Sequence, residues 1–265
     1  MKTISSRQNA VVRAYRALAD EPDPGGARLL LDGVHLVREA RAAAMRFEHV
    51  AVASSHLTSA TEEGDLARAL DHEGVDVVMA DDQVFSAISP VRTPGGIVAI
   101  VQRPPTTAAA ILEQVDLFAL VIADVQDPGN LGSLLRVAEA GGVTGVIVCG
   151  ESANPFSWKS VRGAMGSVLR LSVARGASID AVMADVRAAG VKTIAAVPRD
   201  GRDPDAVDWA GRIALLLGGE GPGLGARVVA ECDERVSVPM AAPVESLNVA
   251  TAAGILVYAA RRART

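Results

Sequence analysis

Imidazole is the first shortage in this chain. Of 265 residues only four are histidine, His35, His49, His56 and His72, all within the first 72 positions. Chemistry carried by the rest of the chain therefore runs without a Ser-His-Asp triad and without a histidine-rich metal site. Two cysteines, Cys149 and Cys232, make neither a disulfide framework nor a zinc site, and a reducing cytoplasm is the expected compartment. Aromatics are 3% of the residues, too few for base stacking to dominate a nucleic-acid interface. Lysine is nearly absent, 3 residues against 23 arginines, which alongside abundant alanine reads as genomic base composition. No apolar run reaches the roughly 18 residues of a membrane span. The opening Met1-Lys2-Thr3-Ile4-Ser5-Ser6-Arg7 has no apolar signal-peptide core. Neither a membrane nor a metal is expected as a partner. Disorder is excluded as well, because 49% of the residues are hydrophobic and the net charge is only −5.

What is present is an alternation of helical and strand patterns long enough for two domains. Residues 1–103 read as a smaller α/β domain. Its short apolar runs, Leu29-Leu30-Leu31, Val50–Ala53, Val75–Met79 and Ile97–Val101, predict strands, with helices over 8–19, 35–44, 62–71 and 81–87. Gln102-Arg103-Pro104-Pro105-Thr106-Thr107 opens a linker placed at 104–113. Residues 114–265 form the second domain. Strands are expected at Phe118–Ala123, Val146–Cys149, Thr193–Val197, Ile213–Leu217 and Arg235–Val238. Helices are expected after Asn130, over Trp158–Met165 and Ile179–Ala189, after Leu224, and from Ser246 onward. Apolar strands separated by helices predict a parallel sheet covered on both faces.

Three segments of the second domain lie where a strand ends and a helix begins, which is where open parallel sheets bind ligands. In Asp124–Arg136 a Pro-Gly turn leads to Asn130, placed to cap a helix, with Arg136 under two turns further on. Leu215–Gly225 holds five glycines in eight residues and permits a ligand to approach the backbone. Its Gly221–Ala226 stretch also fits a dinucleotide fingerprint. The acid Glu220 beside the phosphate position and the late place in the chain argue against that use. In Val238–Ala250 two prolines hold an extended loop before Glu245-Ser246 start a helix, with Ser246 and Asn248 as polar groups at its N-terminus. Taken singly, each segment is also explained by ordinary helix capping or a solvated arginine.

Taken together and in this order, they resemble the three signature motifs of the SpoU family of RNA ribose 2′-O-methyltransferases, in the SPOUT class. The first motif is matched by Asp127, Pro128, Asn130, Gly132, Arg136 and Ala138. The second is matched by Gly218, Glu220, Gly223 and Leu224, and the third by Pro239, Met240, Glu245, Ser246, Leu247, Asn248 and Val249. Val161–Ser167 is similar to a further family segment. Ser6–Asn9, Leu31–Val37 and Thr93–Gly96 resemble the L30e-like RNA-binding domain that many members carry, with Asp32 where Glu is usual. Ala242 stands where the family usually has glycine.

The resemblance implies an α/β fold: a parallel-sheet SPOUT domain with a C-terminal trefoil knot, preceded by the smaller L30e-like domain. The alternation of elements alone fits a knotted or an unknotted sheet, and general topology favours the unknotted one. The resemblance also implies S-adenosyl-L-methionine as cofactor, held at Leu217, Gly218, Gly219, Val238, Met240, Ser246 and Leu247. Arg136, Asn130, Glu220 and Asn248 are implied as the catalytic set, in a homodimer whose partner subunit supplies the arginine.

An arginine stays protonated at ordinary pH and is a poor free base. Its forked donors suit the phosphate next to the reacting ribose, where they stabilise charge developing on oxygen. The same help would let the hydroxyl lose its proton late, to solvent or to the substrate's own phosphate. Clusters without acids, Lys2, Arg7, Arg13 and Arg16 in residues 1–19 and Lys159, Arg162, Arg170 and Arg175 in 156–176, are candidate phosphate contacts despite the acidic net charge. The expected activity is methylation of ribosomal RNA of the 23S type. Transfer RNA, a nucleotide-binding protein and a non-catalytic RNA-binding scaffold are the alternatives.

Overall fold

Short apolar runs closed by turn residues become buried strands, and the amphipathic stretches between them become covering helices. In the computed structural model, which describes residues 1–219 and 223–265, the chain begins β1 (Lys2–Ile4), α1 (Ala10–Asp20), β2 (Arg28–Asp32), α2 (Val34–Ala42), β3 (Arg46–Ala53), α3 (Ser54–Thr58), α4 (Glu62–His72), β4 (Val77–Ala80), α5 (Asp82–Ile88) and β5 (Ile97–Gln102). It continues α6 (Ala108–Leu112), β6 (Phe118–Ala123), α7 (Pro128–Gly141), β7 (Gly145–Cys149), α8 (Trp158–Gly163), β8 (Ser172–Arg175), α9 (Ile179–Ala188), β9 (Lys192–Ala196), β10 (Ile213–Gly218), α10 (Ala226–Glu231), β11 (Glu234–Val236) and α11 (Val249–Arg264). Two compact units result. One holds Met1–Pro105 and Phe156–Leu169, the other Thr106–Pro155 and Arg170–Thr265.

The first unit is a mixed sheet ordered β1-β4-β3-β5-β2, in which β1, β4 and β3 are parallel and β5 is antiparallel to both β3 and β2. Val12, Tyr15 and Leu18 of α1 pack on Leu30, Ile100 and Phe85. The buried Tyr15 hydroxyl is satisfied by donation shared between the carbonyls of His49 (3.1 Å) and Val98 (3.3 Å). Trp158 of α8 packs against this same core. The buried ring of Phe156 lies against Gly26, and the Arg103 guanidinium sits 5.1 Å from its centroid.

The second unit is a six-stranded sheet ordered β11-β9-β10-β6-β7-β8, with every pair parallel. All six residues of β6 are buried, as a central parallel strand requires. The order reverses at β6: β7 and β8 step outward on one side, while β10 is inserted between β6 and β9 on the other. Gly218, Ala123 and Cys149 are register partners across β10, β6 and β7, so three strands end level. α7 and α11 pack against each other beside this end.

Several sequence expectations shift. The segment 104–113 is not a plain linker, because α6 lies within it and buries Ile111 and Leu112 in the second unit's core. Residues 156–169 fold with the first unit rather than with 114–265. Asn130 does not cap α7. Asp127 does, accepting from the Asn130 amide at 2.7 Å, and Pro128 takes the first helical position, where its missing N–H costs nothing. The last helix starts at Val249 rather than Ser246, since Asn248 caps it. The short strands β1 and β8 were not expected; both are edge strands of three or four residues. Among the described residues no helix is long and apolar enough to cross a membrane.

Arg212, just ahead of β10, ties together the amino end of the second sheet. It donates to the carbonyls of Gln114 (3.2 Å), Ala189 (2.7 Å) and Leu112. Arg212→Met keeps the aliphatic stem and strands three acceptors, and should lower the second unit's stability by about 2 kcal/mol. Urea unfolding followed by Trp209 emission in a Trp158→Phe background measures this, because each unit holds one of the two tryptophans. A shift under about 0.5 kcal/mol would mean that water replaces the guanidinium without loss.

Candidate functional site

Beyond the ends of β9 and β10 lies a cavity of about 400 Å³, within the usual range for small-molecule sites. Its walls are Ala196–Pro198 at the end of β9, Leu217–Gly219 at the end of β10, Gly223, Val238, Met240, and Ser246–Val249 with Ala252 and Leu256 of α11. All seven residues expected to hold a cofactor, Leu217, Gly218, Gly219, Val238, Met240, Ser246 and Leu247, line it, and so does Asn248.

Local sequence explains why the wall is thin. A Cβ on Gly218 would overlap the backbone of Gly223 and Leu224, and one on Gly219 would overlap the Asp124 carbonyl. Gly219 and Gly223 pair as a single antiparallel bridge. Only glycine lets three chain segments pass at this separation. Asp124 itself turns the chain with φ 60°, a conformation that aspartate tolerates better than most residues. Its carboxylate accepts from the Glu151 amide at 2.8 Å and so joins the loops after β6 and β7. Ala242 needs no positive φ, so alanine fits there in place of the family's usual glycine.

Two of the expected catalytic residues meet. Asn248 accepts from the amides of Ala250 (2.9 Å) and Thr251 (3.3 Å), capping α11, and its Nδ2 donates to Asn130 Oδ1 at 3.0 Å. Asn130 stands in the first turn of α7, so this bond fixes two helix N-termini side by side at the cavity edge. Their partial positive ends favour an electron-rich oxygen nearby.

Arg136 is not brought to this wall. It is exposed on α7, does not line the cavity, and makes no hydrogen bond or ion pair among the described residues. Glu220, the fourth expected catalytic residue, lies outside the described residues, as does the start of the Gly221–Ala226 fingerprint. The sequence reading missed Ala196, Val197, Pro198, Ala252 and Leu256. The β9 residues carry no local signal, because their place at the cavity follows only from β9 lying next to β10.

The lining suits S-adenosylmethionine. Apolar side chains of Leu217, Val238, Met240, Leu247 and Leu256 can receive a purine face, and the glycines bare backbone groups for its edge. Burial, with the Asp124 carboxylate beside it, pushes the Cys149 thiol up to about 12, and burial raises Cys232 as well, which makes both poor nucleophiles at neutral pH. Among the described residues no group of three or more His, Cys, Asp or Glu is placed to hold a metal ion.

Residues 117–258 match the model of the SpoU rRNA Methylase family, and residues 26–99 match that of the MRM3-like substrate binding domain. The chain is similar to the 23S rRNA (guanosine(2553)-2′-O)-methyltransferase RlmP of Bacillus subtilis, with 30% identity over 97% of this chain and 98% of that one. It is 34% identical to a 23S rRNA (uridine(2479)-2′-O)-methyltransferase of Streptomyces viridochromogenes, over 71% of this chain and 67% of that one. Its fold is similar to the crystal structure of the AdoMet-bound rRNA methyltransferase from Sinorhizobium meliloti, with a TM-score of 0.82 and 29% identity, covering 98% and 97% of the two chains.

The Asn248 geometry predicts unequal costs for its two partners. Asn248→Ala removes both the α11 cap and the bond to Asn130 and should lower the second unit's stability by about 1 kcal/mol. Asn130→Ala leaves the cap in place and should cost about half of that or less. Urea titration of Trp209 emission separates them; equal losses would show that capping contributes nothing.

Proposed function

The chain belongs to the SpoU rRNA methylase family, and on that footing we propose that it transfers a methyl group from S-adenosylmethionine to a ribose 2′-hydroxyl of ribosomal RNA. The observation that carries this reading is the single cavity wall shared by the motif residues Leu217–Gly219, Val238, Met240 and Ser246–Asn248, with Asn130 bonded at its edge. Bound there, the cofactor supplies an electrophilic methyl carbon on a sulfonium.

The protein's part is to bind, align and balance charge. Backbone groups at 217–219 and the 238–248 loop hold the cofactor. Asn130 and Asn248 brace each other and orient the ribose wall, and Glu220 is assigned to the same wall from the motif. Arg136 grips the phosphate beside the reacting ribose through its fork and stabilises negative charge as it develops on the 2′-oxygen. The proton leaves late, to solvent or to the substrate's phosphate. Nothing in this scheme asks for an imidazole.

The same proposal includes a homodimer in which the partner subunit's Arg136 completes each site. Its support is twofold. Arg136 is exposed and does not line its own chain's cavity, and α11 leaves Ile255 at 42% and Tyr258 at 45% exposure, large apolar groups that a second copy would cover. It also includes the C-terminal trefoil knot, supported by α11 folding back onto α7 and β10 after the 237–248 loop. The domain at 1–103 is assigned to RNA binding and the remainder to catalysis, with the cytoplasm as the place of work. Exposed Lys2, Arg7, Arg13 and Arg16, with Lys159 and Arg162 in the same compact unit, supply the cationic surface.

Nucleoside mass spectrometry of ribosomal RNA after incubation with the protein and S-adenosylmethionine tests the activity. A 2′-O-methyl nucleoside is expected, and its absence on both intact and unmodified RNA would end the reading. Ala252→Phe puts a ring into the cavity from α11 and should abolish both cofactor binding and product. Calorimetry with S-adenosylhomocysteine distinguishes that from loss of RNA binding.

Arg136→Ala should reduce turnover by roughly 10²–10³ with cofactor affinity unchanged, the scale of one lost oxyanion donor. Arg136→Lys should recover part of it, since the charge stays and the fork is lost. Mixing Arg136→Ala with Ala252→Phe subunits should restore activity in one site of each heterodimer. No recovery from proven heterodimers would place Arg136 in its own subunit or outside catalysis.

A further inference from the structure

Among the described residues no charged side chain lines the cavity. S-adenosylmethionine nevertheless ends in an amino acid, whose ammonium and carboxylate are costly to bury without counter-charges. The interior offers Leu217, Val238, Leu247 and Leu256, so the purine belongs inside and the zwitterion at the rim.

Two oppositely charged residues flank the lining at that rim. Arg199 directly follows Pro198, and Glu245 directly precedes Ser246. Both are exposed, and Arg199 Nη2 stands 3.8 Å from Glu245 Oε1. That is ion-pair distance but beyond a hydrogen bond, so the guanidinium fork and the carboxylate keep their directional bonding capacity. Neither makes any other ion pair or side-chain hydrogen bond among the described residues, whereas nearby Arg202 is committed to Glu234 at 2.9 Å.

The backbone that carries Arg199 is fixed on both sides. Val197 N donates to Val236 O (2.9 Å), Gly201 N to Ser237 Oγ (2.9 Å), Arg202 N to Arg235 O (2.9 Å) and Ser237 N to Arg202 O (3.0 Å). Asp200, with φ 61°, turns the chain between these anchors. On the other side, Glu245 is held by the segment that ends in the Asn248 cap. Two opposite charges, each next in sequence to a lining residue, are thus brought within ion-pair distance of each other by two separate loops.

We propose that Arg199 and Glu245 form a clasp that selects the amino-acid end of the cofactor, Arg199 receiving its carboxylate and Glu245 its ammonium. The proposal rests on the cofactor reading above and adds to it the two residues that read the charged tail. An exposed ion pair at 3.8 Å is weak, so exchanging it for two charge-assisted bonds to the ligand sacrifices little and gains directionality. Arg199 and Glu245 are then binding residues that discriminate between adenosine thioethers with and without the amino acid.

Calorimetry on the full chain tests this with two ligands, S-adenosylhomocysteine, which has the tail, and 5′-methylthioadenosine, which lacks it. The unchanged chain should prefer the first. Arg199→Gln should raise the Kd for S-adenosylhomocysteine about tenfold and leave that for 5′-methylthioadenosine within a factor of two. Glu245→Gln should act in the same sense, and Arg199→Lys should recover part of the loss. Equal weakening of both ligands would mean that the substitutions only disturb the loops, and would overturn the clasp. Unchanged binding of both would overturn it as well. If the unchanged chain bound neither ligand, the cofactor reading would fall and the clasp with it, an outcome distinct from the other two.

Discussion

The contact on which the rest depends is between backbones. Gly218 and Gly219 at the end of β10 lie against Asp124, Gly223 and Leu224 with no room for a side chain. This close approach is possible because β10 and β6 end level, Gly218 beside Ala123. It becomes a wall because the loop after β11 crosses beyond those ends before Asn248 starts α11. A cavity made this way presents bare peptide groups beside its apolar side chains to the ligand. Shape and hydrogen bonding then come from the fold itself, and few side chains are left to vary without harm to the architecture.

Such a wall suits methyl transfer from a sulfonium. The leaving group departs as a neutral thioether, so no acid is needed to expel it, and the nucleophile needs alignment more than activation. The shortage of histidine and a lining uncharged among the described residues describe one kind of site, in which positioning does more than a dedicated acid or base. Among the described residues, charge is kept to its edges: two helix N-termini joined by the Asn130–Asn248 bond, and the Arg199–Glu245 pair next to the lining in sequence.

Local patterns made much of this legible. β6 coincides with its apolar run, and β7, β9, β10 and β11 fall within two residues of theirs, because buried parallel strands are continuous apolar segments. Helix starts were less legible. Near the starts of both α7 and α11 two polar residues lie within three positions of each other, and only the observed bonds distinguish Asp127 from Asn130 and Asn248 from Ser246 as the cap. β1 and β8 escaped because an edge strand of three or four residues carries little pattern. The contribution of Ala196–Pro198 was invisible for a different reason. Which strand neighbours β10 is a property of the sheet and is written in no single segment. α6 was hidden by the prolines ahead of it, although Ile111 and Leu112 are core residues.

The first compact unit draws part of its packing from far along the chain. Phe156 against Gly26 and Trp158 against the α1–α5 core arrive some fifty residues after β5 is complete, with β6, α7 and β7 of the other unit made in between. During synthesis, therefore, the amino-terminal portion emerges early and waits with an uncovered apolar patch until its last piece is translated. Two consequences follow for the order of events. The two units mature as interleaved rather than successive products of translation, and a gene cut at the proline-rich junction yields a fragment whose interior is still unfinished.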